Sequence, residues 1–261
     1  MDLRLSGKTA VVTGGSRGIG RAIAAVLAEQ GVRVVVGARR APDPPVPGTT
    51  AVTADLGTEQ GARDLAGAAL TELGAVDVLV NNVGGGDGGD GQTSGFLGTS
   101  DALWHATFEL NLFSAVRVTR HLLPSLVDQR GSIVTVSSNA ARTPGAGPLP
   151  YAVAKAALTA FAKGLDAEYG PRGVRVNTVS PGPVRTDLWE HPEGYGAALA
   201  RSLGIPLDDL LAGLPEASGM TTGRLVEPLE VAHLVAYLAS PLAASVAGAD
   251  LLIDGGATRT L

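Results

Sequence analysis

The chain has no cysteine. That excludes a disulfide framework, a thiolate nucleophile and a thiolate metal site. Histidine is scarce too. The four residues, His105, His121, His191 and His233, are scattered without ligand spacing, so no metal is expected. No apolar run is long enough to span a bilayer, and the opening MDLRLSGKTAVVTGG lacks the apolar stretch of a signal peptide. There is no excess of positive charge. The net charge is −5, so neither nucleic acid nor an anionic membrane is expected as a partner. The expectation is a soluble, cytoplasmic protein. What the chain does have is apolar substance, 45% of 261 residues, enough for a sizeable core. Its 36 glycines and 16 prolines stay below the level of a low-complexity chain.

Short β-rich runs alternate with helical patterns. TAVVTGG (9–15), VRVVVGA (32–38), TAVTADL (50–56), VDVLVNN (76–82), 132–137, VRVNTVSPG (174–182) and GADLLIDGG (248–256) read as seven strands. Helices are expected over 19–30, 58–73 with Thr58 as N-cap, 100–126, 151–169 and 228–238. Two shorter candidates lie at 194–203 and 207–214. This alternation implies βαβ units and a parallel sheet. No linker or composition break interrupts it, so a single domain over 1–261 is expected. RRAPDPPVPGTT (39–50) is too Pro-rich for a helix, and the glycine-rich stretch 84–98 is expected to be a mobile surface loop.

TGGSRGIG (13–20) lies between the first strand and the first helix. Glycines at 14, 18 and 20 permit a tight turn and the close approach of a pyrophosphate to the helix N-terminus. The spacing G-x-x-x-G-x-G departs from the G-x-G-x-x-G fingerprint. After the second strand comes Ala38-Arg39-Arg40, where an NAD site would carry an acid for the ribose diol. Arg39, with Arg17 in the glycine turn, therefore points to NADP(H), with NAD(H) as a weaker alternative. Asp55 is placed to bond the adenine amino group. Asn81 and Asn82 are placed to bond backbone groups beside the cofactor.

A second stretch, SSNAARTPGAGPLPYAVAK (137–155), carries Ser138, Tyr151 and Lys155. Tyr151 and Lys155 stand four apart in an Ala-rich helical run, on one helix face. An ammonium beside a phenol is expected to lower the tyrosine pKa from roughly 10, which suits a general acid or base. Ser138, in a small-residue turn after a buried strand, is placed to donate to a substrate oxygen.

The order TGGSRGIG, Asp55, NNVG (81–84), Asn111 within ELNLF, Ser138, Tyr151-x-x-x-Lys155, SPG (180–182) and LLIDGG resembles the short-chain dehydrogenase/reductase family over essentially the whole chain. The departures are Val83 in place of the family's usual alanine, the glycine-rich 84–98 stretch and the proline-rich stretch after Arg40. The resemblance implies a Rossmann-type, doubly wound α/β fold with helices on both faces of a seven-stranded parallel sheet.

The same resemblance implies the site. Tyr151 would be the proton donor to a carbonyl oxygen, with Ser138 bonding that oxygen. Lys155 would lower the tyrosine pKa and hold the nicotinamide ribose. Asn111 would interrupt its helix and hold a relay water, and Thr186 would contact the carboxamide. The implied cofactor set is Gly14, Ser16, Arg17, Gly18, Ile19, Gly20, Arg39, Asp55, Leu56, Asn82, Gly84, Tyr151, Lys155, Pro181, Gly182, Val184 and Thr186. The expected activity is an NADP(H)-dependent interconversion of a ketone and a secondary alcohol. A non-catalytic nucleotide-binding protein, or an epimerase or dehydratase on the same fold, stays open. A substrate lid is expected at 187–225. Its Leu188, Trp189, Leu199, Leu203, Leu207 and Leu214 suit either a pocket wall for an apolar substrate or an ordinary core. Apolar surface on 100–126 and 151–169 together with the resemblance implies a homotetramer, with a dimer as the fallback.

Overall fold

The computed structural model describes residues 2–85 and 95–259. Seven strands form one parallel sheet: β1 (Thr9–Thr13), β2 (Arg33–Ala38), β3 (Thr49–Thr53), β4 (Val78–Asn81), β5 (Ser132–Val136), β6 (Arg175–Pro181) and β7 (Asp250–Ile253). Their spatial order is β3-β2-β1-β4-β5-β6-β7. The strand order reverses between β1 and β4, which opens a crevice at the carboxyl ends of those strands.

The valine-rich runs are explained by burial on both faces. Side chains alternate across the sheet, so Val12, Val36, Val80 and Val134 enter one core and Val11, Val35, Leu79 and Ile133 the other. The first core is closed by α1 (Gly18–Glu29) and α10 (Pro228–Ala239), which bring Ile23, Leu27, Val231 and Val235. The second is closed by α2 (Glu59–Leu73), α5 (Ser114–Asp128) and α6 (Leu149–Tyr169), which bring Leu65, Leu122, Leu126 and Ala162. Thr58 caps α2 as expected, accepting the Gly61 N–H at 3.0 Å.

The expected helix 100–126 is broken. It runs as α4 (Asp101–Phe108), a π-helical turn (Glu109–Phe113) and then α5. The glycine-rich stretch is described at 84–85 and 95–98 only. Gly95–Gly98 forms one helical turn, α3, instead of loop, and the rest of that expectation lies outside the described residues. Within 187–225 three helices are present: α7 (Asp187–Glu190), α8 (Tyr195–Leu203) and α9 (Leu207–Ala217). Val184 and Val226 form a parallel bridge that joins the two ends of this segment.

Candidate active site

A cavity of about 940 Å³ occupies the crevice at the carboxyl ends of the strands. One end is built by the glycine turn. Gly14 and Gly18 have φ values of +68° and +54°, a region that suits glycine. A Cβ at Gly20 would strike the Gly14 carbonyl and the Asn82 amide, so no larger residue fits there. Asn82 clamps the turn by donating from Nδ2 to Thr13 O at 2.9 Å and Gly14 O at 3.2 Å. Arg17 is the N-cap of α1 and provides no side-chain cap, which leaves the first helical N–H groups for a ligand. Gly18, Ile19 and Gly20 line the cavity beside Ser16 and Arg17. An anion, and a pyrophosphate in particular, fits this cradle.

A second part of the cavity follows from β2 and β3. Ala38, Arg39 and Arg40 line the cavity, as do Asp55 and Leu56. Both arginines and Arg17 are exposed, and none makes a salt bridge among the described residues. Arg40 was not expected from the sequence, although its place beside Arg39 is a signal that points to it.

At the other end stand Tyr151 and Lys155 on α6, with Gly84, Gly85, Leu110, Thr186 and Leu188 around them. The Ser138 hydroxyl accepts the Ala140 N–H at 3.2 Å and lies near enough to the Tyr151 phenol to favour its ionisation. The turn that carries Ser138 is tied to β7 by Arg142, whose Nε and Nη2 donate to Asp250 Oδ2 at 3.0 and 2.8 Å. The Lys155 ammonium is buried and donates to Val136 O at 2.9 Å.

The electrostatics correct one expectation. Burial pushes the Tyr151 phenol above its usual value, and the nearby Ser138 hydroxyl offsets only part of the rise. The Lys155 ammonium does not lower it in this arrangement. It is held by Val136 O and lies 5.8 Å from the tyrosine ring centroid. Lys155 itself is lowered to about 8 because burial disfavours its charge.

This has a consequence for stability. The folded lysine releases its proton near pH 8, whereas the unfolded chain keeps it to 10.5. The burial penalty is therefore full below pH 8 and fades as pH rises toward 10.5. A Lys155→Met variant lacks this penalty. The stability advantage of Lys155→Met should thus shrink from pH 7 to pH 10, by up to roughly 3 kcal/mol at about 1.4 kcal/mol per pH unit. Denaturant unfolding of both proteins across that range checks it, and a constant difference would refute it.

Asn111 is fully buried and explains the π-turn. Its Nδ2 donates to Thr107 O at 3.0 Å and to Gly85 O at 3.1 Å, and its Oδ1 accepts the Gly85 N–H at 2.9 Å. The side chain competes for a helical carbonyl and opens the ladder. It lies beneath the cavity wall and meets Lys155 only across Gly84. A Cβ on Gly84 would sit 2.7 Å from Lys155 Nζ and 2.8 Å from Asn111 Oδ1. Gly84→Ala should therefore displace the lysine and cut kcat roughly 10- to 100-fold. Steady-state rates beside a thermal melt check this, and an unchanged kcat would show that the site absorbs the methyl.

Three expected cofactor residues do not line the cavity. Val184 is buried in the core at the bridge to Val226, and Gly182 packs against Asp254. Pro181 is buried at the end of β6. They frame the approach to Thr186, which does line it. Of the expected apolar lid residues, Leu188 lines the cavity, whereas Trp189 packs edge-on against Tyr195 and Leu214 enters the core.

The chain is similar to known proteins over nearly its whole length. A family model described as enoyl-(acyl carrier protein) reductase matches residues 14–258. L-fucose dehydrogenase of Bos taurus is 33% identical over 262 residues, covering 98% of this chain and 92% of that protein. The 3-oxoacyl-(acyl-carrier-protein) reductase of Vibrio cholerae is 34% identical, covering 97% and 98%. A crystal structure of L-sorbose reductase from Gluconobacter frateurii, complexed with NADPH and L-sorbose, superposes with a TM-score of 0.89 at 30% identity over 100% of both chains. The chain belongs to the short-chain dehydrogenase/reductase family.

As a short-chain dehydrogenase/reductase it is an oxidoreductase acting on CH–OH and C=O groups. Among the described residues no group of three or more His, Asp or Glu side chains is placed to hold a metal ion. No described helix is long and apolar enough to cross a membrane.

Proposed function

We propose that this chain interconverts a ketone and a secondary alcohol with NADP(H), and that Tyr151 exchanges the proton. The reading is carried by one observation: a single cavity joins an arginine-lined adenosine end to the Tyr151–Lys155 end. The glycine cradle and the uncapped helix start between them fit a pyrophosphate. Arg17, Arg39 and Arg40 would hold a 2′-phosphate, and no carboxylate stands at Ala38 to bind a ribose diol. Lys155 would hold the nicotinamide ribose, with Thr186 at the carboxamide. When bound, NADPH supplies a hydride to the carbonyl carbon.

Tyr151 gives its phenolic proton to the substrate oxygen as charge develops there, and Ser138 donates a second hydrogen bond to that oxygen. The raised pKa keeps the phenol protonated at neutral pH, the state that a proton donor needs. In the oxidative direction the proton returns to Tyr151.

The test is a cofactor assay with L-sorbose and a 3-oxoacyl thioester for reduction and L-fucose for oxidation. Consumption of NADPH or formation of it with at least one of these supports the reading. NADPH binding without turnover of any would favour a nucleotide-binding role, and product formed without net cofactor change would favour an epimerase or dehydratase.

A further inference from the structure

Lys155 is gripped at both ends by consecutive residues at the end of β5. Val136 accepts its ammonium, at 2.9 Å. Ser137 reaches its backbone carbonyl, with Oγ donating to Lys155 O at 3.1 Å. Thr159, one turn further along α6, donates from Oγ1 to the same carbonyl at 3.1 Å. The Ser137 and Thr159 hydroxyls are 2.8 Å apart. Two hydroxyl protons serve these three lines, so two of them are made at once and at least one hydroxyl bonds the Lys155 carbonyl.

The grip is buried and tied to the sheet. Ser137 is 4% exposed and Lys155 3%. The Ser137 N–H donates to Val179 O of β6 at 2.8 Å, so the serine moves with the sheet and not with a loop. A lysine stem has several rotatable bonds and reaches more than one position unless its base is held. The Val136 contact holds the head alone. The serine fixes the helical turn from which the stem departs.

We infer that Ser137, with Thr159, is a positioning residue for Lys155: it locks the register of α6 against β5 so that the ammonium stays at the reaction end of the cavity. This rests on the reading of Lys155 as the working lysine. It concerns a residue next to Ser138 that the substrate-oxygen chemistry itself does not use.

The test uses full-length Ser137→Ala, Thr159→Val and Thr159→Ser, with the best substrate of the three named above. Ser137→Ala should lower kcat about tenfold and change the substrate KM less than twofold, because geometry is lost and not binding. Thr159→Ser, which keeps the hydroxyl, should retain kcat within about twofold, whereas Thr159→Val should fall toward Ser137→Ala. In a Lys155→Ala background, Ser137→Ala should change the residual kcat less than twofold. NADPH affinity by fluorescence titration should stay within about threefold in Ser137→Ala.

An undiminished Ser137→Ala effect in the Lys155→Ala background would overturn the inference, since the serine would then act without the lysine. A large loss of NADPH affinity would also overturn it, because Ser137 would then touch the cofactor. A kcat unchanged by both Ser137→Ala and Thr159→Val would do the same. If Ser137→Ala does not fold, the Thr159 pair alone decides, through the presence or absence of rescue by serine. Near-normal turnover in Lys155→Ala by itself would instead sink the reading of the lysine and is separately visible.

Discussion

Replacing Tyr151 by phenylalanine should lower kcat by about two to four orders of magnitude and leave NADPH affinity nearly unchanged. The change removes one oxygen and little volume. Tyr151 stands in the first turns of α6, whose register is held by its packing on the sheet, and Ser138 is placed by its own turn and by Arg142. The fold should therefore persist. What disappears is the proton that the substrate oxygen needs when it gains charge, together with one of its two donors. The Ser138 hydroxyl would remain, so a residual rate is expected. Single-turnover and steady-state rates beside a NADPH titration check this. Near-normal turnover would remove Tyr151 from the chemistry.

The second large effect concerns the cofactor. The double change Ala38→Asp with Arg39→Leu should move the NADPH-over-NADH preference by about two to three orders of magnitude toward NADH. Ala38 ends β2 and lines the cavity beside Arg39. A carboxylate there would accept from a ribose diol and repel a 2′-phosphate. Loss of Arg39 would remove charge-assisted hydrogen bonds worth roughly 1.5–3 kcal/mol each. Arg40 also lines the cavity, so Arg40→Leu added to the pair should carry the preference further in the same direction. Values of kcat/KM with both cofactors check this; an unchanged ratio would show that these arginines are surface charge only.

Much of the architecture was legible because its causes are local. Runs such as AVVT and VVVG read as strands buried on both faces, and that is where Val11, Val12, Val35 and Val36 lie. The glycine turn was legible because its three glycines sit between a strand and a helix, and two of them have positive φ. Thr58 was legible as a cap from its position alone.

What was not legible depends on neighbours distant in sequence. The break at Glu109–Phe113 comes where Asn111 bonds Thr107 O and Gly85; no pattern within ELNLF reveals it, and only the family resemblance implies it. The sign of the Tyr151 shift was misread for a similar reason. Spacing along α6 places a lysine one turn away, but burial of the phenol and the claim of Val136 O on the ammonium come from β5. The grip of Ser137 on the Lys155 carbonyl likewise exists only where β5 meets α6. The resemblance places Pro181, Gly182 and Val184 at the cofactor, whereas Gly182 packs against Asp254 and Val184 bridges to Val226, behind the cavity lining.

The most direct test of the account is kcat/KM of the unmodified protein with NADPH and with NADH, measured on L-sorbose and a 3-oxoacyl thioester. The account predicts turnover of at least one of them, with NADPH preferred by about tenfold or more, the discrimination expected of one charge-assisted contact to a 2′-phosphate. An equal or higher value with NADH, or tight NADPH binding with no turnover of either ketone, would contradict it.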